Sequence, residues 1–406
     1  THVSSPLEVQ INARSIARAN IQFNYSCIRF SSNAIIRLLS TANYLPMQQY
    51  HPPIYVLAFC TLLTTLVLIF VGGLVTGTDA GMAVPDWPTT FGDNMFLYPL
   101  SQMVSGLLVW IPDDLATNLG QGILTKPIQE ALNIDENILS STSTVQVVEK
   151  DQAWKIHDPV ANRFYTILRQ EDRLGVYVHG VLFEHSHRLL GTLVGLLTIA
   201  TTISIWIYNS VKQLKWISAL ALLAVIIQGL LGGLRVIENS IVLAIIHASF
   251  APISLAFFTS LVLLTSKKWS QSPPTTDVSQ VHRLAIFASG LIYVQLILGA
   301  ILRQTAQHLS AHILVAILVA MHIILIVRRV FLDMQTFSGF VGLAMLMGSV
   351  VILQMALGIG AWYSEFQLGE RMPYMLRTAI TSGHHFLGVL LFMLSFIYFK
   401  FFLKSP

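Results

Sequence analysis

Eight apolar runs, each long enough to cross a bilayer, dominate this chain of 406 residues. Spanning the hydrocarbon layer takes about 20 apolar residues of helix, and only helices or closed barrels satisfy their backbone hydrogen bonds there. The runs fall at about 54–77, 185–208, 215–237, 240–265, 283–303, 310–328, 337–362 and 378–403. Charged residues make up 11% of the chain and hydrophobic ones 54%, whereas a soluble domain carries about 25% charged. Disorder, a nucleic-acid-binding domain and an ordinary soluble enzyme are excluded. The expected fold is an all-α membrane protein of eight transmembrane helices, with the lipid bilayer as its first partner and no nucleic acid. Cys27 and Cys60 lie in unlike settings, one polar and one apolar, and support neither a disulfide framework nor a cysteine metal site.

Eight helices put both termini on one side. With the N-terminus inside, the inner segments hold Arg14, Arg18, Arg29, Arg37, Lys212, Lys215, Lys267, Lys268, Arg283, Arg328, Arg329, Lys400 and Lys404. The short outer loops hold only Arg235, Arg303, Arg371 and Arg377. The positive-inside rule therefore places both termini in the cytoplasm or its equivalent. Two segments stand apart. Residues 1–49 carry four Arg, no Lys, one acidic residue and many Ser. They read either as a transit-like segment or as a non-functional extension before Met47. The second segment is the loop between the first two helices, whose stretch 105–180 reads as an outer-face insertion with some short helices.

A repeat emerges when the helices are aligned. Helix 3 carries Gln228-Gly-Leu-Leu-Gly232, helix 5 carries Gln295-Leu-Ile-Leu-Gly299 and helix 7 carries Gln354-Met-Ala-Leu-Gly358. Helix 1 has Gly72-Gly73 near its outer end, and His187-Arg-Leu-Leu-Gly on helix 2 aligns with His312-Ile-Leu-Val-Ala on helix 6. The chain reads as a duplicated pair of four-helix bundles. The small residues permit close helix approach in lipid.

Thirteen histidines are present. His2, His51, His157, His179 and His282 fall in tails or loops, and His322 reads as a packed residue. The rest gather near the starts of the even helices: His185 and His187, His247, His308 and His312, His384 and His385. At 1.5 Å per residue they lie within roughly 5–12 Å of one plane. An ionisable residue inside a membrane segment is costly and marks function by default. Imidazoles facing each other across a bundle hold a haem iron from both sides. No carboxylate cluster or cysteine set accompanies them, which argues against a di-iron or zinc site. Two bis-histidine haem sites follow, one in each half. Glu184 breaks the symmetry: it lies three positions before His187 and shares its helix face, where Leu309 precedes His312. A carboxylate beside a ligand in one half alone suggests that this half does chemistry while the other holds or transfers electrons.

At these residues the sequence resembles the haem A synthase family. The likeness runs through Gly72-Gly73-Leu-Val-Thr-Gly-Thr78-Asp-Ala-Gly81 and Pro85-Asp86-Trp87-Pro88. It continues through Glu184-His-Ser-His187-Arg188, Gln228-Gly-Leu-Leu-Gly-Gly and Ile246-His247-Ala to Gln295–Arg303, Gln354–Gly358 and Arg377–His384. The resemblance implies a membrane oxidoreductase that oxidises the ring methyl of haem O to a formyl group by successive hydroxylations, for terminal oxidase assembly. His187 and His247 would flank haem O and its product haem A in the N-terminal half. His312 and His384 would ligate a haem b in the C-terminal half. Glu184 would be the catalytic carboxylate, while Arg188, Arg235, Arg303 and Arg377 would pair with haem carboxylates or snorkel. The implied partners are haem O synthase, oxidase assembly factors and an electron donor, with a homo-oligomer left open. Some members carry a cysteine pair in the first outer loop; this chain has none there.

The expected organisation is an extension at 1–49, an N-terminal half at 50–265 with the insertion at about 105–180, an inner linker at 266–282 and a C-terminal half at 283–406. The expected location is a bacterial plasma membrane, multi-pass, with both termini cytoplasmic; the alternative is the mitochondrial inner membrane. A rival function is a bis-histidine cytochrome b-type electron carrier, for which Glu184 would have no use.

Overall fold

The computed structural model describes residues 50–267 and 279–402, apart from 79, 82, 85, 91–93, 99–108, 112–147, 151–152, 159–162, 171–172 and 179. In the strands and at 279, 370 and 399–402 only the backbone is described. The N-terminal extension and the linker after residue 267 lie outside these residues.

Eight helices carry the apolar runs: α1 (Pro52–Gly77), α2 (Val181–Tyr208), α3 (Lys212–Ile237), α4 (Ile241–Thr265), α5 (Ser279–Thr305), α6 (Leu309–Leu332), α7 (Val341–Tyr363) and α8 (Tyr374–Phe402). All eight contain a stretch long and apolar enough to cross a membrane. Proline opens α1, where its missing N–H costs nothing. Ser240 caps α4 by accepting from the Leu243 N–H at 3.3 Å. His282 lies in the first turns of α5 and not in a loop.

Each group of four helices closes on itself. α1 packs on α2 and α4, and α3 packs on α2 and α4; α5 packs on α6 and α8, and α7 packs on α6 and α8. The two rings meet where α1 touches α8, α4 touches α5, and α4 touches α8. Helix α8 therefore has neighbours on most sides, and its apolar stretch is 44% buried against 22–33% for the other seven. Large apolar side chains such as Leu196, Ile352 and Ile359 point outward, as the lipid-facing surface of a bundle requires.

Polar contacts tie helices together within each ring. Thr61 on α1 meets Thr201 on α2 at 3.1 Å, and Ser289 on α5 meets Ser395 on α8 at 3.0 Å. The apolar core of the C-terminal ring gathers Ile323, Ile326, Met347, Leu391 and Tyr398. The Tyr398 hydroxyl is satisfied by donating to the Phe340 carbonyl at 2.8 Å.

The short helices expected in the insertion fall outside its described residues, and what is described there is strand. Among its described residues the insertion holds five strands: β1 (Val109–Ile111), β2 (Val148–Lys150), β3 (Ala153–Asp158), β4 (Arg163–Gln170) and β5 (Arg173–Val178). They form one antiparallel sheet in the order β1-β5-β4-β3-β2, with Ile156 opposite Tyr165 and Thr166 opposite Tyr177. The reason is local. Arg163-Phe-Tyr-Thr-Ile-Leu-Arg-Gln and Arg173-Leu-Gly-Val-Tyr-Val are rich in aromatic and β-branched residues, which prefer the pleated surface. The eight-helix membrane body stands as expected; the all-helical description does not extend to the insertion.

Candidate functional site

Four imidazoles sit in two facing pairs, and every ring rests on a glycine of the preceding odd helix. On α2, His187 lies against Gly72 of α1, with its Nε2 3.1 Å from where a Cβ on that glycine would stand. On α4, His247 meets Gly232 of α3 at 3.0 Å in the same sense. In the second ring His312 of α6 meets Gly299 of α5 at 3.3 Å, and His384 of α8 meets Gly358 of α7 at 2.9 Å. A methyl group at these positions would collide with the rings or crowd them tightly. The repeat read as helix packing is thus also a set of cradles for histidine.

The pairs match in geometry. His187 and His247 have ring centroids 6.4 Å apart at 67°, and His312 and His384 are 6.2 Å apart at 70°. A metal–nitrogen bond of about 2 Å on each side, plus the reach from each nitrogen to its own ring centre, adds up to about 6 Å. All four histidines are half-buried as residues. Gln228 Nε2 donates to the His247 carbonyl at 2.9 Å and to His247 Nε2 at 3.4 Å; Gln295 Nε2 donates to His312 Nε2 at 3.1 Å. His384 Nδ1 donates to the Gln354 carbonyl at 3.1 Å. Buried atoms without a described partner cluster here: Oε1 of Gln228, Gln295 and Gln354, and Nδ1 of His247 and His312.

This donor set fits a haem. Among the described residues no group of three or more His, Cys, Asp or Glu could hold a bare metal ion. Two protein ligands on opposite sides suffice only when a macrocycle fills the remaining positions.

The other histidines turn elsewhere. His185 is buried, with Nδ1 3.1 Å from the Thr90 hydroxyl. His308 caps α6 in the left-handed region at φ 65°. His322 Nδ1 meets the Leu318 carbonyl one turn back at 2.8 Å, as suits a packed residue. His385 faces α1, with Nδ1 3.3 Å from the Cβ position of Gly73.

Around the first pair lies a latch that sequence reasoning missed. Glu184 is 4% exposed. Its Oε2 accepts from the Val84 N–H at 2.9 Å, and its Oε1 pairs with Arg188 Nη2 at 2.9 Å. Arg188 spends its other contacts on the same loop: Nη2 to the Val84 carbonyl at 2.8 Å, and Nη1 to the carbonyls of Asp86 at 2.6 Å and Thr89 at 2.9 Å. The four N–H bonds of its two terminal nitrogens are thereby used, so Arg188 clamps the loop where the sequence suggested a haem carboxylate partner. Arg235 Nη2 donates to the Gly81 carbonyl at 3.1 Å, and Trp87 packs so closely on Gly233 that a Cβ there would stand 2.5 Å from its ring. The Pro85-Asp86-Trp87-Pro88 motif was the visible signal for this loop; the destinations of its backbone groups were not.

Arg235 and Arg188 both lie within electrostatic reach of Glu184 and His187, and Arg303 within reach of His384 and His385. Arg303 Nη2 stands 3.4 Å from the Cβ position of Gly77 on α1. Arg377 lies 5.9 Å over the Tyr374 ring, apart from both pairs in its described contacts.

The molecule is thus a multi-pass helical membrane protein whose bundles each present one pair of opposed imidazoles. A family model described as COX15-CtaA, cytochrome oxidase assembly protein, matches residues 150–311. Proteins named heme A synthase from Halalkalibacterium halodurans and Shouchella clausii are each 31% identical, over 134 and 138 residues respectively. A third from Bacillus licheniformis is 31% identical over 137 residues. Over these segments the chain is similar to the haem A synthase family. Each alignment covers 32% of this chain and 44% of the relative. The family match contains Glu184, His187, Arg188, Arg235, His247 and Arg303; it ends one residue before His312 and leaves out His384 and Arg377.

Proposed function

We propose that this chain is a haem A synthase, a membrane oxidoreductase that converts haem O to haem A. The observation that carries the reading is the pair of matched imidazole couples, 6.4 and 6.2 Å between centroids, with, among the described residues, a buried carboxylate on the helix of the first couple and none on those of the second. In this reading the two rings of helices are duplicated halves. His187 and His247 hold the substrate haem between them in the first, and His312 and His384 hold a haem b in the second. The haem of the second half supplies one-electron redox chemistry when bound.

The remaining roles belong to the chain. Gly72, Gly232, Gly299 and Gly358 let the helices close until each imidazole reaches its place. Glu184 is the catalytic carboxylate, next to the substrate haem on the His187 face, and holds or moves protons during oxidation of the ring methyl. The latched loop of residues 80–90 shields that half from water, which strengthens the local electrostatics. Arg188 positions Glu184, and Arg235 and Arg303 lie where haem carboxylates would find a guanidinium. The N-terminal half runs over 50–265 and the C-terminal half over 283–406, with the termini on the inner side of a bacterial plasma membrane. Haem O synthase, oxidase assembly factors and an electron donor are the partners.

Acid–acetone extraction and mass analysis of the purified protein tests this. Haem O with hydroxylated or formyl derivatives, alongside haem b, is the expected result. Haem b alone after co-expression with a haem O source would instead establish the electron-carrier reading.

A further inference from the structure

Between the first imidazole pair and the opposite end of the bundle, the N-terminal ring is lined with hydroxyls at positions where the C-terminal ring is aliphatic. Aligning the rings on their four histidines and four cradle glycines compares these positions one by one. Helix α1 has Thr61 and Thr65 where α5 has Ala288 and Ile292, and α2 has Thr198 and Thr201 where α6 has Ile323 and Ile326. Ser218 on α3 and Ser254 on α4 stand where α7 and α8 have Ala344 and Leu391. All six hydroxyl residues are at most 4% exposed, and their six counterparts belong to the apolar core. Their spacings of 7, 11 or 14 residues from the histidine or glycine are close to whole turns. Each therefore shares the face that its helix turns to the imidazoles. At 1.5 Å per residue the row runs roughly 10–21 Å from the imidazoles.

Thr61 and Thr201 meet at 3.1 Å across two helices. Thr65, Thr198 and Ser218 donate to carbonyls of their own helices at 2.7, 2.7 and 2.8 Å, which leaves the oxygen lone pairs available to accept. Ser254 Oγ is buried without a partner among the described residues. A buried hydroxyl in that state is costly, and a water satisfies it where about two to four polar groups converge. Hydroxyls also help helices pack in lipid, but the aliphatic counterparts show that this fold packs without them. In the C-terminal ring the buried hydroxyls of Ser289 and Ser395 meet each other instead, at 3.0 Å.

We propose that the row holds a file of internal water that carries protons between the first imidazole pair and the opposite face of the bundle. The near face is closed by the loop that Glu184, Arg188, Arg235 and Trp87 hold down. Protons exchanged during oxidation of the ring methyl therefore take the hydroxyl-lined way. One proton enters the file as another leaves it; no bond of the protein breaks and nothing is oxidised or reduced in transit. The second pair, which passes electrons alone, keeps a close-packed aliphatic core that excludes water. The inference deepens the proposed function and rests on it.

Radiolytic labelling of the full-length, haem-loaded protein in oxygen-isotope-labelled water tests the path, because it marks apolar side chains that touch internal water. The expected result is label on Leu62 and Leu255, the neighbours of Thr61 and Ser254, and none on Ile323 or Leu391. Thr198→Val with Thr201→Val keeps the volume, removes two hydroxyls and abolishes the label; Ser254→Ala does so should the double variant fail to fold. A membrane-impermeant pH dye, placed on one side of vesicles at a time, should read proton exchange during haem A formation on the face opposite the imidazoles. The valine variant should slow that exchange and haem A formation together, with both haem spectra unchanged. Label absent from both rings, equal label in both, or proton exchange on the imidazole side would overturn the inference alone. Haem b alone on extraction would overturn the haem A reading beneath it, whatever the labelling shows.

Discussion

The two imidazole pairs are nearly copies, and their surroundings are not. Above the first pair, the chain between α1 and α2 folds back over the bundle, and Glu184, Arg188, Arg235 and Trp87 all hold it down. At the second, the α5–α6 connection is only the three residues Ala306–His308, and Leu309 occupies the position aligned with Glu184. The ligand geometry can thus be held constant while the polar shell around it changes. On the function proposed above, a pair of histidines serves to bind, and the pair with a buried, latched carboxylate on its helix is the one that reacts.

The comparison breaks first at Glu184. Glu184→Gln should keep both haems and reduce haem A formation by about 10²–10⁴-fold, the usual span for losing an acid–base group. Undiminished product by extraction and mass analysis would remove the chemical distinction between the halves. Next come the cradles. Gly358→Ala places a Cβ 2.9 Å from the His384 ring, and Gly232→Ala places one 3.0 Å from that of His247. Each should weaken haem binding about 10–100-fold in its own half and spare the other, read as haem per protein and by which spectrum disappears. Loss of both haems from either variant would show that the sites do not fill independently.

The smallest effect belongs to the seam between the rings. Ser382 on α8 donates to the Gly73 carbonyl at 2.9 Å. Ser382→Ala should cost about 0.6 kcal/mol, the average for such bonds in membranes, in unfolding from detergent, with both haem spectra unchanged.

The helices were legible because a bilayer imposes length and apolarity on each one separately. The expected 54–77 and 240–265 became Pro52–Gly77 and Ile241–Thr265. The gathering of histidines at the starts of the even helices was legible for the same reason, since depth follows from position along a helix; which of them face each other is seen only in the two pairs. What could not be read was anything decided by side chains arriving from another element. Arg188 looks like an arginine near a helix end until the carbonyls of Val84, Asp86 and Thr89 surround it. His384 and His385 differ by one position; the family resemblance favours His384, and the contacts that turn it to His312 and its neighbour to Gly73 come from other helices. The sheet was not legible because charged and polar residues are interspersed among the β-branched and aromatic ones of 148–178 and mask the strand pattern.

Gly72 and Gly73 are consecutive on α1, yet the first makes room for His187 of one ring and the second for His385 of the other. A mutation at either is pleiotropic, because any rotation of α1 that relieves one contact drives the neighbouring glycine out of register with the other histidine. The two rings therefore cannot diverge independently along this helix, and a variant that improves one is selected through its effect on both.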